Sequence, residues 1–342
     1  MTEATIWAVG GYAPPHVLTN DMLSQRMDTS DEWIRTRTGI RERRTAGPDE
    51  STASVSTRAG QAALQAAGFD PADLDWVFVC TDTPEMWSPA TACFVQDMLG
   101  ARHASAIDLT GGCAGFLQTL QIISPLAAQG KNLLVIGTEL LTHALDWNDR
   151  STAVLFGDGA GAFLVGPSQP GRAGIRIGHG LSSTDGSQAE ILGKPYGGTR
   201  HEITTALVAE GKHHRIRMDG PRVFKHAVTM MSEVGRQVVS DADLTLDAID
   251  WVVPHQANQR IIDAVAHQVG IPGNKVFSHV AQYANTGSAS IGLALADMLE
   301  QSLIKPGQNL LSVAFGAGFS WASQLFHVDG IPASAFIHQG DR

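Results

Sequence analysis

The chain lacks most of what would mark an extracellular, metal-binding or nucleic-acid-binding protein. Its three cysteines, Cys80, Cys93 and Cys113, show no C-x-x-C spacing. Neither a disulfide framework nor a zinc site is expected, and a reducing compartment is. Lys plus Arg number 24 against 34 acids, a formal net charge of -10, so no broad basic face is available for nucleic acid. No run approaches the roughly 18–20 apolar residues of a membrane span, and residues 1–5 hold no basic segment leading into an apolar one. A soluble, cytoplasmic protein with no membrane partner is expected. What the chain has in quantity is apolar surface. At 43% apolar over 342 residues it can bury a large core, as two domains or one doubled domain.

One short stretch organises the rest. Residues 106–117 read as a strand end, two glycines, a cysteine and an amphipathic helix continuing through Leu120 and Ile123. Gly111 and Gly112 supply backbone freedom for a tight turn. Cys113 then stands at a helix N-terminus, where unpaired amides and the positive end of the helix dipole favour a nucleophilic thiolate. The competing reading is an ordinary buried cysteine.

Around that turn the pattern is α/β. A short strand over 5–11 ends at Gly10-Gly11, and cap-type residues at 28–32 open a helix. That helix runs into Arg35, Arg37, Arg41, Arg43 and Arg44, a basic run in an acidic protein. It is either a solvated face or a phosphate site beside Trp33, whose ring offers a stacking surface. An Ala-rich helix spans 51–67, a buried strand 74–80, a helix 90–99 and another buried strand 131–137. The second half then repeats the first. Asp250-Trp251 follows Asp75-Trp76 by 175 positions, and Asn309-Leu310-Leu311 follows Asn132-Leu133-Leu134 by 177. Two matches at nearly one offset indicate internal duplication, with one α/β half over 1–170 and another over 171–342. Gly-rich segments, 180–220 above all, are expected as surface insertions that carry binding function.

The repeat supplies partners for the cysteine. Where the first half has Cys80 at a strand end, the second has His255, and opposite the Cys113 turn comes Asn285 in a loop entering an apolar helix. Symmetry brings Cys113, His255 and Asn285 together at the interface between halves, where a site is expected.

At these residues the chain resembles the thiolase superfamily and, within it, the β-ketoacyl-acyl-carrier-protein synthase III family. The resemblance runs from Thr5 to about Phe326. It rests on Thr29-Ser30-Asp31-Glu32-Trp33-Ile34, Thr36-Arg37-Thr38-Gly39-Ile40-Arg41, Phe156-Gly157-Asp158-Gly159-Ala160-Gly161, Pro254-His255-Gln256-Ala257-Asn258, Asn285-Thr286 and Phe315-Gly316-Ala317-Gly318-Phe319. It implies a thiolase-like fold, two duplicated α/β halves layered α-β-α-β-α. It implies an acyl-coenzyme A-primed condensing enzyme of fatty acid or related biosynthesis, acting as a homodimer without a tightly bound cofactor. Acyl-coenzyme A and a malonyl thioester would be its substrates, and acyl carrier protein a partner. Cys113 would be acylated, His255 and Asn285 would stabilise the enolate, and the backbone amides of Cys113 and Ala317 would hold the oxyanion. Trp33, Arg37 and Arg150 would hold the nucleotide of coenzyme A, while Met218, Gly220, Phe224 and Asn258 would line the pantetheine channel. Lys225 and Arg260 would face the carrier protein, and Ser88 would close the neighbouring subunit's acyl pocket.

The chain departs from that family at several points. Ala284 stands where a glycine precedes the catalytic Asn, Gly292 replaces a Pro, Ala317 replaces the middle glycine of its loop, and Pro221 replaces an Asn against pantetheine. His267-Gln268 replaces a basic pair on the carrier face, and Ser88 a bulky residue. Other readings are an acyltransferase or condensing enzyme of secondary metabolism with a non-carrier acceptor, or a noncatalytic partner subunit. A hydrolase elbow at 111–115 would not explain the duplication or Asn285. A dinucleotide loop at 157–161 is followed by an apolar strand instead of a helix.

Overall fold

The computed structural model describes residues 3–213 and 215–338, so the outer ends of the two expected halves, residues 1 and 342, lie outside it. In the first half the strands Ser105–Leu109, Trp76–Cys80, Leu133–Leu140, Asp158–Pro167 and Ala4–Ala13 lie side by side in that order. In the second, Trp251–Pro254, Asn309–Gly316, Ser320–Val328 and Ile175–Thr184 follow the same succession. Val276 bridges Val252 where the first half has its edge strand. Both sheets are mixed: Trp76–Cys80 is parallel to both neighbours, whereas Asp158–Pro167 is antiparallel to both of its own. Two residue pairs, Thr5 with Arg176 and Ile6 with Ile175, join the layers into one ten-stranded sheet. Side chains repeat with the strands. Asp75 Oδ2 accepts from the Asn132 amide at 2.8 Å, and Asp250 Oδ2 accepts from the Asn309 amide at the same distance.

Helix patterning decides which layer each helix occupies. Gln259–Val269 buries Ile261, Ile262, Val265, Ala266 and Val269, one stripe at helical spacing, and so covers an outer face. Thr52–Ala66, begun by a capping box between Ser51 and Ser54, covers the opposite outer face with Thr91–Leu99. Ser290–Glu300 is buried at every position but its last and has no polar face to give water. It and Gly115–Ala128 contact strands of both halves and form the middle layer. The result is the layered α-β-α-β-α arrangement. No helix among the described residues is long and apolar enough to cross a membrane.

The segment over 180–220 is largely exposed, as expected of a surface insertion, and it also walls the cavity. It continues the strand Ile175–Thr184, then pairs Leu192–Gly193 with Arg217–Met218 across a short helix, Thr205–Ala209. Leu192, Lys194, Tyr196, Ile216 and Met218 form one wall of the central cavity.

Candidate active site

A cavity of about 1830 Å³ opens where the two halves meet. Cys113, His255, Asn285, Ala317, Trp33, Arg37, Met218, Gly220, Phe224, Asn258 and Arg260 all line it. Three expected residues do not. Arg150 stands at the rim, bonded to the Asp28 carbonyl at 2.7 Å, with its guanidinium 5.2 Å from the Trp33 ring centre. Arg37 is 4.5 Å from that same centre, so two guanidiniums pack against one indole. Lys225 is exposed on the helix Gly220–Asp241, and Ser88 is exposed in the loop before Pro89; Asp82, Met86 and Trp87 of that loop are among those that line the cavity. The basic run divides by role. Arg43 is fully buried and donates to the Leu18 and Val154 carbonyls and to Asn20, which makes it structural.

Cys113 lies on a 3-10 turn, Gly112–Ala114, that feeds the middle-layer helix. Gly112 has φ +60°, and a Cβ on it would stand 2.6 Å from the Ala317 nitrogen. A Cβ on Gly316 would stand 2.4 Å from the Cys113 nitrogen. Both glycines are required, because together they bring the Cys113 and Ala317 amides to one place from opposite halves. Ala317 itself needs no positive φ; Gly318, at +136°, takes the strained conformation. The alanine that departs from the family pattern therefore costs the turn nothing.

The second half carries the same turn, Gly287–Ala289, with Gly287 at φ +55°. Its counterpart of Cys113 is Ser288, whose Oγ lies 2.9 Å from the Cys80 carbonyl and 3.0 Å from Glu139 Oε1. Each turn therefore rests on a strand end of the other half.

The electrostatics reverse one expectation. A helix terminus favours the thiolate, yet here burial pushes the Cys113 thiol well up, and the carboxylates of Asp82 and Glu139 push it further. The pull of its own backbone amide is smaller. Partial charges at a helix end do not outweigh lost water and two acids. Cys113 rests as a thiol. Alkylation of Cys113 by iodoacetamide, followed by peptide mass, is expected to accelerate about tenfold per pH unit from pH 7 to 9 without levelling. A plateau below pH 8 would contradict the raised thiol.

His255 is fully buried, and burial holds its imidazole down to about 3, so the ring is neutral. Its Nδ1 lies 2.7 Å from Ser290 Oγ, and the Gln256 amide donates to that same oxygen at 3.4 Å. When the Ser290 hydroxyl donates to Nδ1, the ring proton sits on Nε2, the nitrogen turned away from Ser290. Asn285 Oδ1 accepts from the Gly287 amide at 2.8 Å, which leaves Nδ2 as the donor. Ala284 adopts φ +56°, ψ -155°, a conformation open essentially to glycine alone. Here the departure from the family pattern does strain the backbone, one residue before Asn285.

Asp82, Glu139, Lys194 and Ser290 were not singled out in the sequence. Asp82 and Glu139 stand at strand ends that face the other half, the signal that picked out His255. Ser290 and Lys194 carry no comparable signal.

The 3-oxoacyl-[acyl-carrier-protein (ACP)] synthase III family model matches residues 107–186, and its C-terminal counterpart matches residues 239–328. The chain is 43% identical over 327 residues to a beta-ketoacyl-[acyl-carrier-protein] synthase III of Natranaerobius thermophilus, covering 95% of this chain and 99% of that one. Among solved structures it is similar to the 3-oxoacyl-[acyl-carrier-protein] synthase III of Aquifex aeolicus, with TM-score 0.86 and 40% identity over 95% of this chain and 99% of the other. It is also similar to the priming β-ketosynthase of a polyketide biosynthetic pathway, with TM-score 0.86 and 36% identity over 96% and 97%.

Proposed function

The chain belongs to the 3-oxoacyl-[acyl-carrier-protein] synthase III family, and on that premise we propose that it primes chain synthesis by condensing an acyl group from acyl-coenzyme A with a malonyl thioester. The observation that carries this reading is the convergence of Cys113, His255 and Asn285 in one cavity whose rim holds Trp33 beside two guanidiniums. Cys113 Sγ attacks the thioester carbonyl, the bond from that carbon to coenzyme A breaks, and the thiol proton leaves on the departing sulfur. The Cys113 and Ala317 amides receive the transient oxyanion. A malonyl thioester then binds with its carbonyl oxygen toward His255 Nε2 and Asn285 Nδ2. Its carboxylate leaves as CO₂, and the electron pair left behind attacks the acyl carbon. A carbon–carbon bond forms, the bond to Sγ breaks, and the sulfur takes a proton. Each preorganised donor contributes on the order of 10²–10³ in rate to the decarboxylation.

Arg150 completes the nucleotide site with Trp33 and Arg37; Met218, Gly220, Phe224 and Asn258 form the pantetheine channel. Lys225 and Arg260, both exposed, form what remains of a carrier-docking face. His267 and Gln268, exposed on the same helix as Arg260, stand where the family carries a basic pair, which favours a second reading in which the malonyl group arrives on coenzyme A or another acceptor is used. Similarity to a polyketide-priming ketosynthase supports the same branch. The deciding experiment incubates the protein with an acyl-coenzyme A panel, with malonyl carrier protein or malonyl-coenzyme A, and identifies products by mass. A 3-oxoacyl product is expected; transfer to oxygen or nitrogen, or bare hydrolysis, would overturn the condensing assignment.

A homodimer would pair the edge strand Ser105–Leu109, where Ile107 is 46% exposed, and cover the loop where Trp87 is 79% exposed. In that assembly Ser88 reaches the partner's acyl pocket. A serine leaves room for several carbons that a phenylalanine would displace, and each buried methylene contributes about 0.8 kcal/mol. The expected result is a preference, on the order of 10²-fold in kcat/KM, for branched or medium-length acyl-coenzyme A over acetyl-coenzyme A, narrowed by Ser88→Phe. A preference for acetyl, or an unchanged profile in the variant, would rule it out.

A further inference from the structure

The cavity carries an acid and a lysine for which the condensation has no use. Asp82 follows the strand Trp76–Cys80 by two residues, and its Oδ1 faces the amide of Gly112, the residue before the nucleophile, at 3.4 Å. That long contact is the only hydrogen bond its carboxylate receives among the described residues. The neighbouring acid is quite different. Glu139 takes the Asp82 amide at 3.1 Å and the Thr83 hydroxyl at 2.8 Å, and meets Ser288 Oγ at 3.0 Å, so its lone pairs are occupied. Lys194, from the wall over 180–220, donates its ammonium to the Asp82 carbonyl oxygen and has two further protons to give. Both Asp82 and Lys194 line the cavity with Cys113.

A carboxylate in a half-buried site with one weak donor is costly unless a ligand supplies the rest. Its place beside Gly112 decides which part of a ligand that is. The nucleotide of coenzyme A belongs at Trp33 and Arg37, on the other side of the thioester. Whatever reaches Asp82 is attached to the carbonyl that Cys113 attacks. A purely aliphatic acyl chain would bury the Asp82 carboxyl against methylenes and leave it short of hydrogen bonds.

We propose that Asp82 and Lys194 form a polar recognition point in the acyl pocket, and that the preferred primer bears a hydroxyl or amino group a few bonds from its thioester carbonyl. The donor hydrogen bonds to Asp82, and a hydroxyl oxygen can in turn accept from Lys194. Thioester exchange onto Cys113 is unchanged. This rests on the condensing reading above and names its substrate class.

The test measures kcat/KM for coenzyme A release and for the acyl adduct on Cys113, using acyl-coenzyme A pairs of equal chain length. Each pair contains an unsubstituted chain and either a hydroxylated or an aminated one, with the substituent moved along the chain. The substituted member is expected to win by at least about tenfold at one position. Asp82→Val and the near-isosteric Asp82→Asn should lower that ratio, the valine to one or below, and Lys194→Leu should lower it more for hydroxyl than for amine. The ratio is taken within one preparation, so a partly unfolded variant does not distort it. Unsubstituted chains preferred at every position, or a ratio unmoved by Asp82→Val, would overturn the proposal. So would variants that alter only the KM for the malonyl thioester. If plain acyl chains load Cys113 and condense normally, the condensing reading stands and only the polar primer falls; if no acyl chain loads Cys113, the condensing reading itself fails.

Discussion

Cys113→Ala is expected to end acylation altogether: intact mass after incubation with acyl-coenzyme A shows no adduct, and condensation drops by on the order of 10⁴ or more. The other thiols cannot substitute. Cys80 is buried beneath the turn, its Sγ only 2.8 Å from where a Cβ on Gly115 would sit. Cys93 is exposed on the helix Thr91–Leu99 and does not line the cavity. The alanine removes one buried sulfur and disturbs no backbone hydrogen bond, so the fold should persist and malonyl decarboxylation should survive. An adduct that persists in the variant, or maps to Cys80 or Cys93, would defeat the assignment.

His255→Ala and Asn285→Ala should separate the half-reactions. Each is expected to lower malonyl decarboxylation by 10²–10³, roughly the worth of one donor in a closed site. Acylation of Cys113 should fall much less. In the tautomer where Ser290 donates to Nδ1, the proton on His255 sits at Nε2, and a ring nitrogen already protonated is no acceptor for the thiol proton. Equal loss of both steps in His255→Ala would show that the tautomer inverts and that His255 is the base. Normal condensation in either variant would exclude both roles. Ser290→Ala provides a control on positioning: it frees the tautomer without touching substrate, so decarboxylation should fall while coenzyme A binding holds.

Much of this was legible before any coordinates. Duplication was visible because Asp75 and Asp250 perform one structural task, each receiving an asparagine amide across a strand end, and such a task preserves its residues. That Cys113, His255 and Asn285 share one cavity was legible from the same repeat. The state of the thiol was not. The dipole of a helix is a local property, readable from the glycines before Cys113, whereas Asp82 and Glu139 arrive from strands 31 residues before and 26 after it. The wall over 180–220 looked like a surface insertion because its glycines and polar residues carry no period. Only the pairing of Leu192–Gly193 with Arg217–Met218 turns it inward. Ala284 was noted as a departure, but its strained angles follow from the loop's path between Val280 and Leu155, which no local pattern encodes.

The crossed support of the two turns has a consequence for how this enzyme can be divided. Cys113 leans on Gly316 and Ser288 leans on Glu139, so the sulfur keeps its place only while both halves are clasped. Either half expressed alone holds a nucleophile without an oxyanion site, or two donors without a nucleophile. The connection between them is another matter. Around Gly171, where an added side chain would meet nothing, the link is exposed and bears no part of the cavity. A chain cut there and kept folded should still turn over, and two separately made pieces should regain activity only on reassembly. Turnover would then report whether the two pieces are joined, independently of any binding measurement.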